Sequence, residues 1–546
     1  MANVDVLIVG GGPTGMALAL ELSMQDVSYR IIDKAPVRSD KSRALVVQAR
    51  TLELLNRHGT AKKLLSRGFE LHGANLYTNK REAGTVSLDG LDMADTEFPF
   101  PLCVPQQETE HFLDECLAKY DKSIERPVIA KAITQDGAGV TVKLENERTG
   151  LSETLRVRYV VGCDGAHSSV RHAGRFRFEG APYPQTFILG DFHVSDSSLP
   201  RDRLLLCFGS ATLAMFPLKE GKWRLVTIHD GSKELQAHGT VLMDEQPTVD
   251  EFRALFAEMA PPGAGTLHDP TWLAKYHLHH RVADQYRDGR LFVAGDASNI
   301  HSPAGGQGMN TGMQDAFNLG WKLGRVLRGE ARDALLDTYD AERRPVGQNV
   351  VDTTDRMFSY ATWQNPVWRM CRNLLLPWVL PWLTNSAKRR AAGLRYISEL
   401  TINYRGSSVV YTAGGFSGPV EGGDRLRDGK LRSASGDVVM LQSLCDGPSS
   451  HLLLFAGVGQ GPLRSEEFAG FEAKLSKTDN HVKVIRIFNA ATDGEGAYSD
   501  LDGQLHARYG MASPGYVLVR PDAYVGCIGN MDAFDELLSF MGSGKF

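Results

Sequence analysis

Cysteine is sparse and unpatterned in this chain. Its seven cysteines, at positions 103, 116, 163, 207, 371, 445 and 527, are odd in number, and no two have CxxC spacing. That argues against a disulfide framework and against a cysteine-based zinc site, and fits reduced thiols in a cytoplasmic protein. No other metal-ligand pattern is present. Long apolar runs are also lacking. The most apolar stretch, residues 374–383 (LLLPWVLPWL), is broken by two prolines. It is about half the length that a membrane span needs, and reads instead as a hairpin of short helices. The opening apolar segment carries Asp5 and runs straight into a glycine-rich loop, so it reads as a strand and not as a signal peptide. A basic excess is missing too. Lys and Arg number 60 against 65 Asp and Glu, for a net charge of −5, which argues against a nucleic-acid partner.

What is present is an ordinary globular composition, 42% hydrophobic and 23% charged over 546 residues, long enough for two to four domains. Residues 4–9 (VDVLIV) suit a strand buried in a parallel sheet. Gly10-Gly11-Gly12-Pro13-Thr14-Gly15 follows, then an Ala- and Leu-rich helical stretch to Met24. In this GxGxxG arrangement Gly10 permits the tight turn, Gly12 lets backbone approach a pyrophosphate, and Gly15 lets helix pack on strand. The helix N-terminus then offers free N–H groups to phosphate. A second strand, residues 29–32, ends at Asp33, which follows Gly15 at close to the spacing of roughly 20 residues expected for a ribose-binding acid.

Two later stretches discriminate between dinucleotides. The apolar run Val160-Val161-Gly162 ends in Cys163-Asp164-Gly165 and leads to Arg171. The run 291–294 (LFVA) ends in Gly295-Asp296-Ala297, followed by Ser302-Pro303-Ala304-Gly305-Gly306-Gln307-Gly308-Met309-Asn310 at a helix entrance. An acid at a strand's C-terminal end can bind a polyol hydroxyl, and a glycine loop opening a helix offers donors to developing negative charge. NAD needs no such polyol clamp; FAD does.

These three motifs, spanning residues 1–350, resemble those of the group A flavoprotein monooxygenases, the family of p-hydroxybenzoate hydroxylase and phenol hydroxylase. Ser42-Arg43-Ala44, Gln48-Ala49-Arg50-Thr51, Pro105-Gln106-Gln107-Glu108-Thr109-Glu110, and Tyr339 with Glu342-Arg343-Arg344-Pro345 extend the resemblance. It implies that FAD is the cofactor and NADPH or NADH the co-substrate. The reduced flavin would react with O₂ to a C4a-hydroperoxide that passes one oxygen to a small apolar or phenolic substrate. Asp33 would hold the adenosine ribose, Arg43 would lie along the pyrophosphate, Gln106 would sit near the ribityl side, and Asp296 would hold the ribityl chain. Pro303 and the amides of Gly306, Gly308, Met309 and Asn310 would line the isoalloxazine, and Asp164 with Arg171 would serve FAD packing and NAD(P)H use. Arg43 and Pro303 are the two residues placed beside the chemistry, with Arg43 positioned to sense the flavin swinging between two positions. Epoxidation or Baeyer–Villiger oxidation by the same flavin chemistry is the alternative.

The resemblance implies an α/β fold: a Rossmann-type FAD domain (1–180 and 286–350), an inserted antiparallel-sheet substrate domain (181–285), a helical linker (351–404), and a thioredoxin-like C-terminal domain without redox cysteines (405–546) that packs or contacts a second copy in a homodimer. Strand-like runs at 204–208, 213–218 and 223–228 fit the antiparallel sheet. Met215, Phe216 and Pro217 are placed to wall a substrate cavity. No base is assigned: the position where phenol hydroxylases carry an acid is Leu45 here, and His193, His229, Tyr276 and His277 are candidates by residue type only.

Overall fold

The computed structural model describes residues 4–38, 44–229, 247–302, 305–362, 370–371, 374–375, 379, 384–458, 465–476, 482–490 and 496–543. Two of the expected site residues, Arg43 and Pro303, lie outside the described residues, as does most of the apolar run 374–383.

The first sheet is built on β1 (Val6–Val9), whose four apolar residues are all buried. The helix α1 (Pro13–Met24) carries the chain back to β2 (Tyr29–Ile32), parallel to β1. On the other side of β1 lie β3 (Tyr159–Gly162) and then β4 (Leu291–Val293), both parallel to their neighbours. A short antiparallel strand, Arg287–Asp288, closes that edge. Because β1 to β4 run the same way, Val9 pairs with both Ile32 and Gly162, and Gly162 with Val293. The residues just after each strand therefore emerge at one edge of the sheet: Gly10, Asp33, Asp164 and Gly295-Asp296. Strand order also reverses about β1, and such switch points are where open α/β sheets bind ligands.

A second sheet has eight strands in the order Asn299–Ile300, Thr266–Ala283, Phe178–Ser195, Lys222–His229, Thr212–Pro217, Arg203–Phe208, Gly73–Thr78 and Arg81–Ser87. It is larger than the stretch 181–285 expected for it. Its last two strands come from residues 73–87, and Gly73–Thr78 pairs with Arg203–Phe208 in parallel, so the sheet is not purely antiparallel. The polar alternation Gly73–Ser87 is locally weak, and only long-range pairing assigns it to this sheet. The helix Val249–Met259 covers one face, inserting Phe252, Phe256 and Met259 among Phe192, Leu213, Met215, Trp223 and Leu225.

The chain leaving β4 makes a single turn at Gly295–Ala297, adds Asn299–Ile300 to the edge of the second sheet, and then enters α2 (Gly308–Leu327). These residues join the two sheets. The long helix α3 (Asp337–Thr362) follows. The C-terminal sheet places His451–Phe455 centrally, parallel to Lys483–Phe488 and antiparallel to Gly515–Val519, which forms a hairpin with Val525–Asn530. No helix among the described residues is long and apolar enough to cross a membrane.

Candidate active site

Gly10 has φ +111°, and a Cβ there would stand 2.2 Å from the Cys163 carbonyl oxygen, so the first motif is pressed against the second. Gly12 differs. A Cβ there would meet no atom within 4 Å, which leaves its backbone open to a ligand. Gly12 also caps α1 with no side-chain bond, and Pro13 occupies the first turn, so the helix end presents free N–H groups and a positive dipole end. Thr14 lies against both Gly295 and Gly312: its hydroxyl oxygen is 2.5 Å from where a Cβ on either would be. One short side chain thereby joins α1, the β4 turn and α2. Gly15 packs so closely that a Cβ would stand 2.0 Å from the Gly10 carbonyl oxygen.

Asp33 accepts hydrogen bonds from the Gly11 and Ala35 amides at 2.7 Å each and pairs with Arg126 at 3.2 Å. Arg126 also donates to the Gly11 carbonyl. A carboxylate has about four acceptor positions, so Asp33 retains capacity for a ribose hydroxyl. Arg126 belongs to the site by contact, yet sits far from every motif in sequence.

Asp164 turns inward. One carboxylate oxygen accepts from the Ser169 amide and hydroxyl, at 2.6 and 2.7 Å, and the other is buried without a hydrogen-bond partner. Arg171 donates to the Ala297 and Ala166 carbonyls and lies 3.9 Å over the Phe178 ring. It braces the second motif against the third. Asp296 is exposed on the turn after β4. The Gly295 amide of that turn donates to Asp315, which Arg343 holds at 2.7 Å, both side chains fully buried. Glu342 beside it pairs with Lys322 and Arg520. The Glu342-Arg343 motif is thus the internal support of the β4 turn and of the contact with the C-terminal sheet.

Gln106 accepts from the Ala44 amide and donates to Glu110. Gly306 has φ +64° in the loop before α2, and Met309 packs partly buried on the core. Asn310 is fully buried: it accepts from the Gln48 amide at 2.8 Å and donates to the Val46 and Gly306 carbonyls. Gln48 in turn donates to the Gly305 carbonyl. Asn310 therefore shapes the loop, and its side chain has no amide hydrogen aimed elsewhere.

Met215, Phe216 and Pro217 do not share one wall. Alternation along Thr212–Pro217 sends Met215, fully buried, into the core under Val249–Met259, while Phe216 packs on the other side with Leu45, Val46, Leu71, Cys103 and Leu218. Only Phe216 faces the first domain. That same side carries Arg224, 2% exposed, paired twice with Asp191 and 5.0 Å from the Trp272 ring. Sequence gave no signal for this pair, because its members are separated and lie on different strands. His193 stacks on His268 with centroids 5.8 Å apart. The side chains of His229, Tyr276 and His277 lie outside the described residues.

An open phosphate-facing helix end, an acid after each of β2, β3 and β4, and a second glycine loop at α2 fit a flavin dinucleotide. Comparison with known proteins agrees. Residues 3–354 match the FAD binding domain family, and residues 471–544 match the phenol hydroxylase C-terminal dimerisation domain. The chain is 34% identical over 96% of its length to 6-methylpretetramide 4-monooxygenase of Streptomyces rimosus, covering 90% of that protein. It is 30% identical over 98% of its length to pentachlorophenol 4-monooxygenase of Sphingobium chlorophenolicum, covering 96%. The anhydrotetracycline hydroxylase OxyS of Streptomyces rimosus superposes with TM-score 0.75 at 28% identity, over 99% of each chain. The flavin-dependent monooxygenase PieE, solved with FAD and substrate, superposes with TM-score 0.81 at 23% identity over 100% of this chain and 99% of PieE. The chain belongs to the FAD-dependent aromatic hydroxylases, the group A flavoprotein monooxygenases.

Proposed function

We propose that this monooxygenase hydroxylates a multi-ring phenolic substrate of the polyketide kind, with NADPH or NADH as reductant, and that it works as a homodimer through its C-terminal part. The observation that carries the reading is the convergence of Gly10, Asp33, Asp164 and Asp296 at one sheet edge, joined by residues 299–300 to the edge of the eight-stranded sheet. A sheet wall continuous with the cofactor site suits a flat, extended substrate. Relatives acting on 6-methylpretetramide and anhydrotetracycline support the substrate class, and the matched dimerisation family supports the dimer.

Gly12, Pro13 and the α1 amides would hold the pyrophosphate, Asp33 a ribose, and Asp296 the ribityl hydroxyls. Gly306, Gly308 and Met309 would border the flavin ring, with Asn310 holding their loop in shape. Arg43 and Pro303, which lie outside the described residues, would by the family resemblance stand beside the pyrophosphate and ring. FAD held there would supply the redox chemistry, two-electron exchange with a nicotinamide and activation of oxygen. The protein's part is to orient the ring and the substrate and to keep water out. Phe216 would press on an aromatic face, and the Arg224–Asp191 pair would set the polarity of the wall.

The test is NADPH consumption across a panel of simple and fused-ring phenols, with mass spectrometry of products. Fused-ring phenols should stimulate oxidation and gain one oxygen. Stimulation by simple phenols alone would refute the substrate class.

A further inference from the structure

His301 follows the short strand Asn299–Ile300 and stands at the entrance to α2. Its Nδ1 lies 2.8 Å from the Ser302 carbonyl oxygen. A carbonyl can only accept, so Nδ1 carries the ring proton and Nε2 presents a lone pair. The residue is 9% exposed, and Nε2 is buried with no hydrogen-bond partner. Nε2 points at the first residue of α2: a Cβ on Gly308 would stand 3.3 Å from it. The twenty-residue helix beginning there has no side-chain cap at its N-terminus. A buried acceptor without a donor costs about 1–3 kcal/mol, and here it stands next to open helix donors. Burial also pushes the imidazole pKa below its usual value, opposed by the bond to the Ser302 carbonyl and then by the Asp296 carboxylate.

We propose that His301 Nε2 and the N-terminal amides of α2 together form a two-sided recognition site for a planar ring edge that carries an acceptor oxygen beside an N–H or O–H donor. The helix amides donate to the oxygen, and His301 accepts from the donor. Two ligands of the reaction have such an edge: the imide end of the flavin ring and a phenolic substrate with a neighbouring carbonyl. His301 is a positioning and specificity residue in either case. This inference rests on the proposed placement of the flavin at the α2 entrance.

The experiment compares wild type with His301→Leu, His301→Gln and Gly308→Ala. Leucine removes the acceptor, glutamine restores an acceptor oxygen, and alanine sets a methyl against Nε2 while leaving the imidazole in place. FAD dissociation is followed by fluorescence, the ionisation of the bound flavin N–H by absorbance in substrate-free enzyme, and substrate binding by titration with a fused-ring phenol and its O-methyl ether. If the flavin is the ligand, His301→Leu and Gly308→Ala weaken FAD binding about tenfold and lower the flavin N–H pKa by about one unit, a tenfold change in equilibrium, and His301→Gln recovers most of it. If the substrate is the ligand, FAD binding is unchanged while the phenol binds about tenfold more weakly and its ether does not. The proposal is overturned if all three variants match wild type in flavin titration, FAD binding and phenol binding. Wild-type protein that retains no FAD would instead overturn the reading of the cofactor site itself. Should His301→Leu not fold, His301→Phe, which also lacks an acceptor, takes its place in every arm.

Discussion

At the scale of single residues, position relative to solvent separates ligand-facing acids from structural ones. Asp296 is exposed at the end of β4, whereas Asp315, one layer below, is fully buried and spent on Gly295 and Arg343. Asp296→Ala should therefore keep the fold and lose FAD affinity by more than tenfold, since charged hydrogen bonds contribute about 1.5–3 kcal/mol each. Equilibrium dialysis of FAD checks this, with thermal melting of the apoprotein as the fold control. Glu399 gives a second residue-scale prediction. It is 2% exposed, takes hydrogen bonds from Thr311 and Gln314 on α2, and burial raises its pKa from 4.5 to about 8, opposed chiefly by Thr311 and Arg343. The folded state thus holds a proton on Glu399 that the unfolded state releases near pH 4.5. Its contribution is intact below that pH and is lost as pH rises toward 8. Glu399→Gln removes the titration, so the melting temperature of the variant should gain on wild type between pH 5 and pH 8.5. Parallel melting curves over that range would refute it.

Among elements, the β4 turn and α2 depend on the buried pair Asp315–Arg343. Removing one partner leaves an uncompensated charge, at a cost of about 3–5 kcal/mol. Arg343→Met should lower the denaturation midpoint strongly, and Arg343→Met with Asp315→Leu should recover much of the loss; urea unfolding of both variants checks it. This element scale is also where the sequence was most and least legible. The strand–glycine–helix signal at residues 6–24 is local, dictated by a continuous apolar run and turn sterics, and the structure contains it with β1 and α1 where expected. The acids Asp33, Asp164 and Asp296 could be read because parallel strands must end at one edge. Arg126, Glu399, His301 and the Arg224–Asp191 pair were not legible as a site, because what identifies each is a contact across elements distant in sequence. Gly73–Ser87 was missed as part of the second sheet for the same reason. Met215 shows a different limit: position in the sheet marks Met215, Phe216 and Pro217 alike as cavity candidates, and the pleat sends them to opposite sides.

For the whole molecule, the C-terminal part is bound to the FAD-binding part by buried charges rather than by an apolar seam alone. Arg520 pairs with Glu342 and Asp522, Arg425 pairs with Glu53 and Asp95, and Arg50 donates to the Asp522 carbonyl. The Arg520–Glu342 pair joins the turn of the C-terminal hairpin to the α3 motif that supports the β4 turn. Arg520→Ala should lower the thermal midpoint and accelerate FAD loss together, although Arg520 touches no cofactor-binding residue; differential scanning calorimetry alongside flavin release checks it. The reaction proposed for the assembled enzyme puts one atom of dioxygen into an aromatic substrate at the expense of NADPH or NADH, on FAD. The most direct measurement is turnover of a fused-ring phenol under ¹⁸O₂ in ordinary water, with product mass and NADPH followed together. The expected result is a product carrying one ¹⁸O atom, with one reduced nicotinamide consumed per product. Oxygen drawn from water, or NADPH consumed with hydrogen peroxide as the sole product across the panel, would contradict it.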